Sequence, residues 1–315
     1  MHNSLSKLTI GNLLNTYSEL PQPMKYSKTD AGFMICSLVV KHFLGIEWLE
    51  KNVYPHPTKG GILRLDADKM ENAQAQAFRV IDLAELLINL QNIEGFDQLI
   101  YRMKTHDPES YLAELRVGRI LYINDAHFRF ITPGGKKGDD YDLEIIYPDG
   151  MIVCAETKCK IEGTEISAAT IKNALGEARG QLPQDKPGVI FVMVPQRWLE
   201  EGAERLLVET AIAFLKGTGR VASVKYYVEP LAFSNGTMSQ GHKYKEISNP
   251  HHRLYPNRNW DLLHYKPTTT KIAAGWDALP EKWIRLINFP HELGTHENLL
   301  PAPTENFSCP IPAKP

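Results

Sequence analysis

Cysteine is scarce in this chain, and the few present show no pairing. Cys36, Cys154, Cys159 and Cys309 form no C-x-x-C spacing, so neither a zinc site nor a disulfide framework is indicated and free thiols in a reducing compartment are expected. Long apolar runs are missing too. The most apolar stretch, Phe33 to Val40, is stopped by Lys41 and His42, far short of the ~20 residues that span a bilayer. The N-terminus lacks the charged-then-apolar pattern of a signal peptide, so a cytoplasmic protein with no membrane partner is expected. Nor is there an excess of charge of one sign. A net charge of −2 at pH 7 offers no global attraction to nucleic acid, so any such partner must be held by a local basic patch. What is present is an ordinary globular composition, 43% hydrophobic and 23% charged over 315 residues. That suffices for one large domain or two smaller ones, with a core that needs no staples.

The most informative stretch runs from Tyr141 to Lys158. Two segments rich in β-branched and aromatic residues flank Pro148-Asp149-Gly150, which reads as a hairpin with a three-residue loop and Gly150 at the position requiring φ > 0. If Tyr147 faces Met151, Asp142 lies across from Glu156, and Lys158 shares their face. Two opposed carboxylates, with Cβ atoms about 5 Å apart, repel each other. A divalent cation would resolve the conflict, and Asp, Glu and a backbone carbonyl make an oxygen set suited to Mg²⁺. The plainer alternative is a solvated hairpin face of mixed charge.

Residues 1–105 read as a helical region. One helix is expected from a Thr29-Asp30 cap through about Asn52, one from about Asn72 to Gln91 and one from Phe96 to Lys104, with a Pro/Gly-rich loop over residues 54–61. Leu83, Leu86, Leu87 and Leu90 form an apolar stripe at helical spacing, which reads as core. No catalytic constellation appears here, leaving a lid, a substrate-selecting module or a dimerisation element. A further helix starts at Asp107-Pro108 and runs to about Tyr122. On it Glu114 shares a largely apolar face with Tyr111, Val117, Gly118 and Leu121. It points either into the site of Asp142 and Glu156 or to a local base such as Arg116 or Arg119.

His127 to Thr132 reads as the first strand. Lys136 and Lys137, in the loop that follows, are candidate phosphate contacts or a solvated tip. Asp139 and Asp140 compete with Asp142, which is preferred because the pleat places it opposite Glu156. Beyond the hairpin come a helix from about Glu165 to Leu182 carrying Lys172, Arg179 and Gln181, a strand Val189 to Val194 buried on both faces, a helix Arg197 to Lys216, and a strand Val221 to Glu229. The pattern predicts an α/β fold, a mixed central sheet flanked by helices over residues 106–230. After Pro230 the pattern degrades into an irregular extension, residues 231–315. Basic and aromatic residues interleave from His242 to Trp260, which suits nucleic-acid contact or a loop packed on the sheet. His251-His252 has no third metal ligand at a helpful spacing. A short helix is expected near residues 279–286 and a disordered proline-rich tail from Pro301.

Taken together, Glu114 before the sheet, Asp142 opening the second strand, Glu156-Thr157-Lys158 in the third and a polar Gln181 on the next helix resemble the PD-(D/E)XK nuclease superfamily, over roughly Asp107 to Glu229. The resemblance implies a restriction-endonuclease-like core in which Asp142, Glu156 and the Thr157 carbonyl hold Mg²⁺, with Mn²⁺ a possible substitute. It implies that Lys158 positions or activates the attacking water, that Glu114 supports the metal and that Gln181 completes the site. Tyr141 stands where the family's name has proline. The function implied is metal-dependent hydrolysis of nucleic-acid phosphodiesters, DNA favoured over RNA, with a homodimer as one arrangement open to the fold. The alternative is a non-catalytic nucleic-acid- or protein-binding module on the same fold.

Overall fold

Tyr147 accepts a hydrogen bond from the Gly150 amide (2.8 Å) and donates its own amide to the Met151 carbonyl (2.9 Å), closing the turn, with Gly150 at φ 82°. The strands this turn joins, β2 (Leu143–Ile146) and β3 (Ile152–Cys159), pair Ile146 with Ile152 and Leu143 with Ala155, the expected register. The computed structural model describes residues 5–21, 28–53, 70–135, 138–161, 163–200, 202–229, 231–234, 237–240, 243–253 and 283–286. Around the hairpin it builds an α/β fold with a six-stranded mixed sheet.

Before the sheet come α1 (Ile10–Glu19), α2 (Lys28–Leu44), α3 (Ile46–Asn52), α4 (Met70–Leu90), α5 (Phe96–Thr105) and α6 (Pro108–Ile123). The single helix expected as far as Asn52 is interrupted at Gly45, where φ is 94°, and the helix already includes Thr29 and Asp30 instead of being capped by them. Asp107 caps α6 through the Glu109 amide, with Pro108 in the first turn, a combination that satisfies an orphan donor and removes another. Strand β1 (His127–Phe130) follows. Its end is clamped against the start of α5, where the Phe130 amide donates to the Glu94 carbonyl (2.9 Å). A Cβ on Gly95 would lie 2.0 Å from the Phe130 carbonyl oxygen, so only glycine permits this approach.

After β3 come α7 (Ala168–Gln181), β4 (Gly188–Met193), α8 (Gln196–Glu200), α9 (Glu204–Lys216) and β5 (Val221–Val228). The one helix expected from Arg197 to Lys216 is two, separated at Gly202, whose φ is 71°. The residues after 230 are also more regular than their composition suggests. Strands β6 (Leu231–Ser234) and β7 (Thr237–Gln240) make a separate ribbon, and β8 (Lys243–Ser248) pairs antiparallel with β5. The strand order is β1-β2-β3-β4-β5-β8. Antiparallel pairing on the β1–β3 side meets parallel pairing of β3 with β4 and β4 with β5. Residues 283–286 are not helical. The tail from Pro301 and the loop over residues 54–61 lie outside the described residues.

Alternation along the strands divides the core. Val153, Ala155, Val189 and Phe191 face α2, α4, α5 and α6, with the Leu83, Leu86, Leu87 and Leu90 stripe fully in that layer. Cys154, Ile190, Val192 and Tyr226 face α7 and α9. Strand β4 is buried along its whole length, as its unbroken hydrophobicity requires of a central parallel strand. Among the described residues no single helix is long and apolar enough to cross a membrane. Cys36 and Cys154 are buried and Cys159 half-buried, all three as free thiols. Cys309 lies outside the described residues.

Candidate functional site

Strand β3 is the seam between the antiparallel and parallel halves of the sheet, and it carries Glu156, Thr157 and Lys158. Asp142 stands one residue before β2, so the ladder ends at Leu143 and the strict pairing of Asp142 with Glu156 is not formed. Instead the Asp142 amide donates to the Ala155 carbonyl (3.0 Å), and the Asp142 carbonyl accepts from the Ile131 amide (2.8 Å). Two residues of one strand thus address Ala155, a local slip of the kind a bulge makes. The slip lets the carboxylate turn onto β3, where Oδ2 accepts the Thr157 amide (2.7 Å). Asp142 is therefore tied to the same three-residue segment that the hairpin register indicated, by its side chain in place of its backbone.

Glu156 is 1% exposed. Its Oε1 accepts from Lys158 Nζ (2.7 Å), while its Oε2 is buried with no hydrogen-bond partner. Lys158 also donates to Oε1 of Gln181, the last residue of α7. Gln181 is held in turn by the loop before Asp142, its Nε2 donating to the Asp140 carbonyl (3.4 Å). Asp140 itself caps that loop through the Gly135 amide (2.8 Å), so its carboxylate has a structural task of its own.

Glu114 is buried on α6. Its ion pair is with neither Arg116 nor Arg119 but with Arg102 of α5, Oε2 to Nη2 at 3.5 Å. That oxygen makes no hydrogen bond. Arg102 was not foreseen, because nothing in the composition of α5 separates it from an ordinary basic residue in a last helical turn. Its guanidinium lies 5.2 Å from the Tyr111 ring centroid and donates to the Ile131 carbonyl (3.2 Å). Ile131 is the same residue whose amide bonds to the Asp142 carbonyl.

The electrostatics record an excess of acid. Burial pushes Asp142 up to about 6, although the Thr157 amide, Lys158 and Arg102 all pull it down. Glu156 and Glu114 are raised well above the usual carboxylate range, first by burial and then by the charge on Asp142. The three acids therefore sense one another. They do not form a closed ligand cage: among the described residues no group of three or more His, Cys, Asp or Glu side chains is arranged to hold a metal ion. Lys158 occupies one oxygen of Glu156 and Arg102 stands beside Glu114, so cationic side chains sit among the carboxylates. The orphan oxygens of Glu156 and Glu114 and the mutual elevation of the three acids fit a hard divalent cation, which favours oxygen ligands and would relieve the repulsion.

Other sequence candidates stand elsewhere. His252 is buried, its Nε2 3.2 Å from the Arg220 carbonyl, and His251 is exposed. Of the basic-aromatic segment, Lys245 pairs with Glu204 (2.9 Å), and Tyr244 hydrogen-bonds Lys225 (2.8 Å), so β8 is part of the sheet architecture. Lys172 and Arg179 line a cavity of about 510 Å³ between α7 and α9 with Phe214, away from the acids. Lys136 and Lys137 lie outside the described residues. Compared with models of known protein families and with curated proteins, the sequence matches none.

Proposed function

We propose that the chain is a Mg²⁺-dependent nuclease on a restriction-endonuclease-like core, hydrolysing phosphodiester bonds of nucleic acid, DNA in preference to RNA. The observation that carries this reading is the acid excess at the β2–β3 seam: Asp142 and Glu156 buried together, Lys158 bonded to Glu156, and orphan carboxylate oxygens left on Glu156 and Glu114. A purely structural cluster would be expected to balance its charges, because an unpaired buried charge is costly.

Asp142, Glu156 and the Thr157 carbonyl would hold the cation, Mg²⁺ or Mn²⁺, with Glu114 in support. The cation supplies neutralisation of phosphate charge and a more acidic bound water. The Thr157 amide fixes the Asp142 carboxylate in one rotamer. Lys158, oriented by Glu156 and Gln181, presents an ammonium where a water attacks phosphorus and stabilises the negative charge that develops there. Gln181 links that lysine to the Asp140 loop, so the helix after β3 sets its position.

The test is cleavage of double-stranded DNA, single-stranded DNA and RNA with Mg²⁺, Mn²⁺ or EDTA. Wild type is expected to cut DNA only with metal, and Asp142→Ala, Glu156→Ala and Lys158→Ala each to lose at least about 100-fold in rate while remaining folded. Equal cleavage by wild type and Asp142→Ala overturns the assignment. Tight metal-independent DNA binding, without cleavage and insensitive to Lys158→Ala, points to a binding module instead.

A further inference from the structure

The buried Arg116 and Arg119 and the half-buried Arg102 are held differently. Arg116 and Arg119 are committed: both bond Asp82, and both pair with Glu229. Arg102 is not. Its carbonyl contact is 3.2 Å and its carboxylate contact 3.5 Å, both through Nη2, and its Nε is buried with no hydrogen-bond partner. Leaving such a donor unsatisfied is costly. The side chain retains 15% of its surface and lies between Tyr111, Glu114 and the Ile131 carbonyl. A planar fork with spare donors is suited to a phosphate, which it can hold through two parallel hydrogen bonds.

We infer that Arg102, contributed by the N-terminal helical region, contacts a backbone phosphate of the nucleic acid bound at Asp142 and Glu156. This assignment rests on the nuclease reading and gives α5 a role in substrate binding: it presents a cation beside Glu114. The long ion pair with Glu114 (3.5 Å) is exchanged for a bidentate phosphate contact. Ile131 couples the two, since its carbonyl accepts from Arg102 and its amide donates to Asp142. Arg102 and the residue that opens the site are thus joined through the backbone of one residue.

The experiment measures DNA binding by fluorescence anisotropy from low to high salt, in the Lys158→Ala background with Mg²⁺ so that substrate is not consumed, alongside cleavage rates in the otherwise wild-type chain. One phosphate contact contributes about 0.9 to the slope of log K against log salt on duplex DNA. Arg102→Gln is expected to lower that slope by about 1 and cleavage by about 100-fold. Arg102→Lys keeps the charge and is expected to keep the slope while cleaving more slowly, because it lacks the fork. Melting curves establish that each variant is folded, and if glutamine is not tolerated, Arg102→Met provides the neutral comparison. An unchanged slope and rate in the neutral variant, with wild type still cutting in an Asp142-dependent way, overturns the Arg102 assignment alone. Absence of Asp142-dependent cutting in wild type overturns the nuclease reading itself.

Discussion

Two buried charge clusters lie on the α6 helix, and they are built on opposite plans. Toward the β5 end, Asp82 and Glu229 meet Arg116 and Arg119, acid matched to base, with Arg116 Nη2 2.9 Å from Asp82 and Nε 2.8 Å from Glu229. Burial alone would weaken the charge on both arginines, but the two carboxylates outweigh it and hold them above their ordinary range. Toward the β2–β3 seam, the cations beside Glu114, Asp142 and Glu156 among the described residues are Lys158 and a loosely held Arg102, and all three acids are pushed up. A raised pKa does not by itself separate the two plans. Glu85 is pushed to about 8, chiefly by burial, yet its oxygens accept from the Leu286 amide (2.8 Å) and Trp283 Nε1 (3.2 Å). What distinguishes the seam is like charge together with unsatisfied oxygen, the combination that the proposed cation would relieve.

The comparison breaks first at the balanced cluster. Asp82→Ala leaves Glu229 alone against two buried guanidinium groups, and the expected loss is about 3–5 kcal/mol of stability, read from urea unfolding. A loss below about 1 kcal/mol would mean the two clusters are not different in kind.

At the seam the opposite sign is expected. The folded-state pKa of Asp142, about 6, stands above its ordinary value of 3.8, so between these pH values the unfolded chain gives up its proton more readily than the folded one. In metal-free buffer wild-type stability therefore falls as pH rises from about 4 to about 6 and stays low above. Asp142→Asn removes this slope while keeping an oxygen for the Thr157 amide. It should be more stable than wild type at pH 8, by about 1–2 kcal/mol after allowance for coupling among the acids, and no more stable at pH 3.5. A variant less stable than wild type at pH 8 would show the carboxylate to be structural.

A smaller effect sharpens the contrast from the side of the ligand. Mg²⁺ at ten times its dissociation constant should stabilise wild type by about 1.4 kcal/mol, seen as a rise in melting temperature, and should leave Asp142→Asn unmoved. An equal rise in both would place the cation elsewhere.

The local chain was legible where its chemistry is short-range. Alternation and the Pro-Asp-Gly turn dictate the β2–β3 register, since a one-residue slip would send every side chain to the wrong face, and Asp107-Pro108 marks the start of α6. Glycine breaks were harder to see. Gly45 and Gly202 interrupt apolar patterns that continue across them, and periodicity alone does not report a change of direction. β8 was illegible for another reason: its pattern, with exposed residues alternating with partly buried ones, is that of a strand shielded on one side only, and its partner β5 is recruited across the β6–β7 ribbon.

Of the site, the sequence by itself determined the residue types and their approximate neighbourhood: Asp142 and Glu156 near one another through the hairpin, Lys158 on the Glu156 face two residues on, and Glu114 on a buried helix face. Tertiary structure alone decided that Asp142 reaches the Thr157 amide by its side chain, that Gln181 meets Lys158, and that Arg102 instead of Arg116 or Arg119 stands beside Glu114. Turn geometry and strand period act over a few residues, and so are written in order along the chain. Which guanidinium balances which buried carboxylate depends on where α4, α5 and α6 come to rest against the sheet, and that is set by the packing of the whole apolar layer.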